Sequence, residues 1–203
     1  KRPLPPATPT PGTKNTGAQA PNGPAEDVEF LRVGTPNTPT DGGIFSSSFS
    51  ITFQAPVAAG AVIRYTTNNT APTEASPQWT PGTNFTVSAS STYRARVYTP
   101  NALPGDVASR TWLRIDSSLS NYNGSGQPFS SHLPIVVLDS FGVPVDSYTD
   151  PAQPRPYRLS YAVVLDRDPL AAPPYANRAL ITGKVDVQGR CGTHVRGESS
   201  SGF

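Results

Sequence analysis

The residue types closest to chemistry lie in the last stretch of the chain. Gly192, Gly197, Glu198 and Ser199 have the glycine spacing of a loop that cradles phosphates with backbone amides. Such a loop needs Lys after its second glycine to reach the outer phosphates, and Glu198 would repel them, so a true P-loop is set aside. Gly197-x-Ser199-x-Ser201 lacks the closing glycine of a nucleophile elbow, which removes a serine hydrolase. Cys191 and His194 could pair as nucleophile and base, but residues three apart on one strand point to opposite faces. A buried structural Cys beside an exposed His is the expectation. Asp166-Arg167-Asp168 could hold a cation, although a charged turn before Pro169 is the simpler account. Trp79, Tyr98 and Trp112 would present flat faces to sugar rings if they shared a surface, whereas sheets also take aromatics into their packing.

These residues have to be positioned by short strands. Among 203 residues there are 24 Pro and 17 Gly, which excludes long helices and coiled coils. A hydrophobic fraction of 35% still supplies apolar surface for one or two small domains. Sixteen Lys and Arg against 14 Asp and Glu leave a net charge of +2, too small for a nucleic-acid binder. One Cys and two His cannot form a four-ligand zinc site, and no metal site or internal disulfide is expected. No stretch has the 18 or so apolar residues of a membrane span.

Residues 1–27 form a Pro/Gly-rich linker with almost no bulky apolar residue. Alternation then begins at Phe49, Ile51 and Phe53, and recurs at Ala61, Ile63 and Tyr65, at Phe85 and Val87, and at Tyr93, Ala95 and Val97. Val107 to Ile115 closes the set, and turn residues separate its members. This spacing predicts a β-sandwich over 28–116, with Arg94 and Arg96 as a solvated edge stripe. Residues 117–131 make a Ser/Gly linker. A second β-rich domain, cut short, occupies 132–203, with strands at Ile135 to Leu138, Tyr157 to Leu165, Leu180 to Val187 and Cys191 to Arg196. The continuous run Ile135-Val136-Val137-Leu138 suits a strand covered on both faces. Asn-x-Ser/Thr triplets at Asn68, Asn84 and Asn123 matter only in a eukaryotic secretory route. A chain opening at Lys1 with no Met anywhere is expected to be a piece of a longer protein.

Ile63-Arg64-Tyr65-Thr66-Thr67, Ala71-Pro72-Thr73 and Thr92-Tyr93-Arg94-Ala95-Arg96 resemble the C-terminal-type module of chitobiases and β-hexosaminidases, an Ig-like or fibronectin-III-like sandwich. That family usually shows Asp-Gly where this chain has Asn68-Asn69, which still tolerates a left-handed turn. The module is accessory and carries no catalytic carboxylates, so the resemblance implies no glycosidase activity. His132 to Gly142 and Gly192 to Phe203 resemble the opening of a CotH (spore coat protein H) kinase-like domain, and Pro9 to Asn15 is similar to the exit of a lamin-tail-type domain.

Together these resemblances imply an all-β fragment of an exported bacterial multidomain protein, secreted or at the cell surface. The fragment itself is expected to lack catalytic residues and cofactors. Its parent would be an atypical protein Ser/Thr kinase using ATP and Mg²⁺, and Arg196, Ser199 and Ser200 would lie near the nucleotide. Expected partners are other domains of the same chain and a protein substrate, with no nucleic acid and no membrane span. The alternative is an adhesion or carbohydrate-binding protein on cell-wall polysaccharide, with Trp79 and Trp112 as its platform.

Overall fold

The computed structural model describes residues 23–145 and 157–194. Among them the regular elements are strands and two short 3-10 turns, and the chain is all-β. In chain order the strands are β1 (Phe30–Arg32), β2 (Thr38–Pro39), β3 (Gly43–Phe45), β4 (Phe49–Phe53), β5 (Val62–Thr66), β6 (Phe85–Val87) and β7 (Ser91–Tyr98). They continue with β8 (Ala108–Arg114), β9 (Ser130–Ser131), β10 (Ile135–Asp139), β11 (Arg158–Leu165), β12 (Ala179–Leu180) and β13 (Val187–Thr193). The sheets have the orders β2-β1-β4-β6, β3-β8-β7-β5, β10-β11-β13 and β12-β9. The described residues fall into two compact units that interleave along the chain, 23–41, 49–87 and 92–110 in one, 42–48, 88–91, 111–145 and 157–194 in the other.

The first unit is built on large rings. Alternation in β4 turns Ile51 and Phe53 inward, at 0% and 2% exposure. The Phe53 ring lies 4.9 Å from Phe30, 5.4 Å from Phe85 and 5.6 Å from Trp79, with Tyr65 at 6.2 Å. Phe85 in turn meets Tyr65 at 4.9 Å and Tyr93 at 5.6 Å. Rings from β1, β4 and β6 thus close against rings from β5 and β7, which is the packing of a sandwich. Thr52, on the opposite side of β4, is also buried, and its hydroxyl donates to the Thr83 carbonyl at 2.9 Å. Phe49, by contrast, is only half-buried and lies under the Arg32 guanidinium at 4.1 Å.

In the second unit, Tyr161, Val163 and Leu165 of β11 form a core with Leu113, Ile115 and Ile181. β3 pairs in parallel with the end of β8, Gly43 opposite Trp112 and Phe45 opposite Arg114. Backbone approach at its start requires glycine: Gly42 has φ +92°, and a Cβ there would stand 2.3 Å from the Thr111 carbonyl oxygen. The stretch 117–131 carries two 3-10 turns, Ser117–Leu119 and Tyr122–Gly124, and its Leu119 and Phe129 pack against the Tyr161 core.

Three expectations are corrected. β10 is an edge strand with Val136 at 63% and Leu138 at 54% exposure, so it is covered on one face only. A continuous apolar run suits an antiparallel edge as well as a buried strand, because periodicity does not separate the two. The strand expected over Leu180 to Val187 is absent, since β12 ends at Leu180 and β13 begins at Val187, not at Cys191. Arg94 and Arg96 lie on β7, which is internal to its sheet, so they do not guard an edge.

Phe53→Ala is expected to cost about 3–5 kcal/mol by opening a cavity among four rings. The denaturant midpoint should fall with an unchanged slope. Burial, with the nearby Tyr65 second, raises the Tyr93 phenol above its ordinary value. The stabilisation tied to this shift is complete below the ordinary tyrosine pKa of about 10 and is lost as pH rises through the raised value. Melting temperature measured against alkaline pH should therefore fall less steeply in Tyr93→Phe than in the wild type.

Candidate functional site

Trp79 and Trp112, the expected platform, are 4% and 2% exposed. The Trp79 backbone amide donates to Ile63 at 2.9 Å, which brings its ring into the aromatic core. Its indole N–H donates to the Thr83 carbonyl at 2.9 Å, so the polar edge is satisfied inside the fold. Trp112 sits in β8 between Thr111 and Leu113, both buried as well. Neither ring offers a face to a sugar, and the platform is corrected to two core residues. Tyr98 is half-buried and donates its hydroxyl to the Pro72 carbonyl at 3.1 Å.

Cys191 and His194 are both half-buried, rather than one buried and one exposed. The Tyr157 ring meets the imidazole edge-to-face at 4.4 Å. Asp166 accepts from the Arg167 amide at 2.6 Å and Asp168 from the Leu170 amide at 2.8 Å, while Asp186 accepts from the Asp166 amide at 2.7 Å. These carboxylates fasten a turn, and a cavity of about 360 Å³ beside them is lined also by Arg167, Arg178 and Lys184. Arg178 is committed elsewhere, to the hydroxyl and carbonyl of Ser130 at 2.8 and 3.0 Å and to His132. Among the described residues no group of three or more His, Cys, Asp or Glu could hold a metal ion. Arg196, Ser199 and Ser200 lie outside the described residues, so the fit of a nucleotide to them has no structural reading.

The turn that replaces Asp-Gly behaves as its residues allow. Asn69 has φ +69°, and the Asn68 side chain accepts from the amide and hydroxyl of Thr70 at 3.2 and 2.7 Å. Asp116 similarly accepts from the Ser118 amide at the start of a 3-10 turn, and that hydrogen bond lowers its pKa.

What the sequence did not show is that Arg64 joins Arg94 and Arg96 in one row of cations. β5 and β7 are antiparallel, with Arg64 opposite Arg96, Thr66 opposite Arg94 and Val62 opposite Tyr98. Residues opposite one another share a face, so Arg64, Arg94 and Arg96 all emerge on the side away from Ile63, Ala95 and Val97. The signal was present as Arg-x-Arg in one strand and Arg in its partner, but it depended on register.

With both indoles in cores, iodide should quench tryptophan emission only weakly in the native protein and strongly in urea. Titration with chitotriose should leave the native emission unchanged; a shift would mean that a ring is reachable by sugar.

No helix among the described residues is long and apolar enough to cross a membrane. No curated protein and no solved structure matches the chain. Residues 40–109 match the family model of the chitobiase/beta-hexosaminidase C-terminal domain, so this part of the chain is a β-rich domain of a kind associated with carbohydrate-active enzymes.

Proposed function

We propose that the chain is a non-catalytic part of an exported bacterial multidomain protein. Residues 28–116 act as a spacer or docking sandwich, and residues 132–203 form the N-terminal strands of a domain resembling CotH-type protein kinases. The observation that carries this reading is the sheet β10-β11-β13. Val136, Val164 and Val187 stand in register across it, as do Leu138, Ala162 and Gly189. That face exposes Val136 by 63%, Leu138 by 54% and Val187 by 63%, whereas the opposite face packs on the Tyr161 core. A contiguous apolar face on a three-stranded sheet favours a further layer over it, which the rest of a larger domain would supply. Support for the sandwich as an accessory module comes from the match of residues 40–109 to a C-terminal domain.

ATP and Mg²⁺ belong to the parent in this reading, with Arg196, Ser199 and Ser200 near the phosphates. The test is to sequence and express the coding region extended on the 3′ side of Phe203. The 203-residue chain should bind the apolar dye ANS and transfer no phosphate. The extended product should lose dye binding and phosphorylate Ser or Thr peptides in the presence of Mg²⁺ and ATP. A stop codon, or an extended product that still binds the dye and lacks transfer, contradicts the reading.

A further inference from the structure

We infer that the arginine face of β5 and β7 is a binding site for an acidic saccharide, one whose carboxylate or phosphate is held between Arg64 and Arg96. Like charges directly opposite on neighbouring strands destabilise a sheet. Arg64 and Arg96 nevertheless face each other in register, both half-buried, and neither has an ion-pair partner among the described residues. An oxyanion lying between them would remove the repulsion and accept from two planar forks at once, a geometry that suits guanidinium better than ammonium.

Arg64 and Arg94 are already held in place by backbone carbonyls. Arg64 donates one terminal nitrogen to the Ser76 carbonyl at 3.0 Å, which fixes its fork and leaves other donors available. The Nε of Arg96 is buried without a hydrogen-bond partner, an arrangement that costs stability unless something answers it. Arg94 continues the same face two residues along β7, its guanidinium anchored on the Asn69 carbonyl at 3.0 Å. Successive cations along β7 are therefore about 7 Å apart, a spacing suited to an extended polymer of acidic units.

The neighbouring surface accounts for the sugar. A cavity of about 410 Å³ opens next to Arg64, lined among others by Glu74, Tyr98, Thr99, Pro100 and Pro104. That volume is within the range of small-molecule sites, about 300–1,000 Å³. Glu74 and Thr99 would meet hydroxyl groups, and the prolines and Tyr98 would meet the apolar ring faces. A purely inorganic anion would leave these residues unused, and a neutral sugar would leave the arginine pair unanswered. The inference deepens the docking half of the proposed function and does not need the kinase-like parent.

The test is an NMR titration of the whole chain, with three probes: trigalacturonate for a carboxylate, glucose 1-phosphate for a phosphate, and chitotriose as the neutral sugar. At least one acidic probe should shift β5 and β7 amides and arginine Nε–H signals, and which one does identifies the anion. Affinity should fall about tenfold or more in Arg64→Gln and in Arg96→Gln. Arg96→Lys keeps the charge and should fall between, which separates loss of recognition from loss of fold. Absence of shifts with both acidic probes, equal binding of chitotriose, or undiminished affinity in a folded Arg96→Gln would overturn the inference. None of these outcomes bears on dye binding or phosphate transfer.

Discussion

The ring cluster around Phe53 is the constraint on which the first unit depends. Strands of two to eight residues, broken by Pro and Gly, offer few inward positions, so burial must come from large side chains. Phe30, Tyr65, Trp79 and Phe85 each meet the Phe53 ring at 6.2 Å or less. Two buried polar groups, one on each side of β4, converge on one acceptor, since Thr52 and the Trp79 indole both donate to the Thr83 carbonyl. The loop carrying Thr83 is thereby tied to β4 and to the core. Any recognition by this unit must then rely on groups outside the core, such as the charged face of β5 and β7.

The two units treat their sheets differently. In the first, the ring cluster around Phe53 faces inward and most outward positions are polar, with Arg110 bridging the Thr40 carbonyl and Asp41. In the second, the half of β11 from Tyr161 to Leu165 is apolar on both sides, with Tyr161, Val163 and Leu165 in a core and Ala162 and Val164 on the face shared with Val136 and Val187. Antiparallel sheets commonly leave one side to water, but that side is then polar. Valines and leucine on the open side therefore point to an occupant rather than to solvent.

Much of the sandwich was legible because alternation is a local signal. Ile51 and Phe53, Ile63, and Tyr93, Ala95 and Val97 all face inward as the period of two requires. β3 was not legible, because its parallel pairing with β8 depends on Gly42 and Gly43 approaching a strand some seventy residues away. Aromatic residues carry the same identity in a core and on a binding surface, so Trp79 and Trp112 could be assigned only once burial was known. Arg64, Arg94 and Arg96 were visible as residues, yet only register brings the first opposite the third. The stretch 117–131 has the composition of a linker, and its few apolar residues, Leu119 and Phe129, decide its packing.

The most direct test of this account is residue-resolved amide hydrogen exchange on the intact chain. If the ring cluster holds the first unit, the amides of Ile51, Phe53, Ile63 and Val97 should exchange only through global unfolding of that unit, while those of the short edge strand β2 exchange by local opening. Exchange of the β4 amides at the rate of β2 would contradict the central role given to the Phe53 rings.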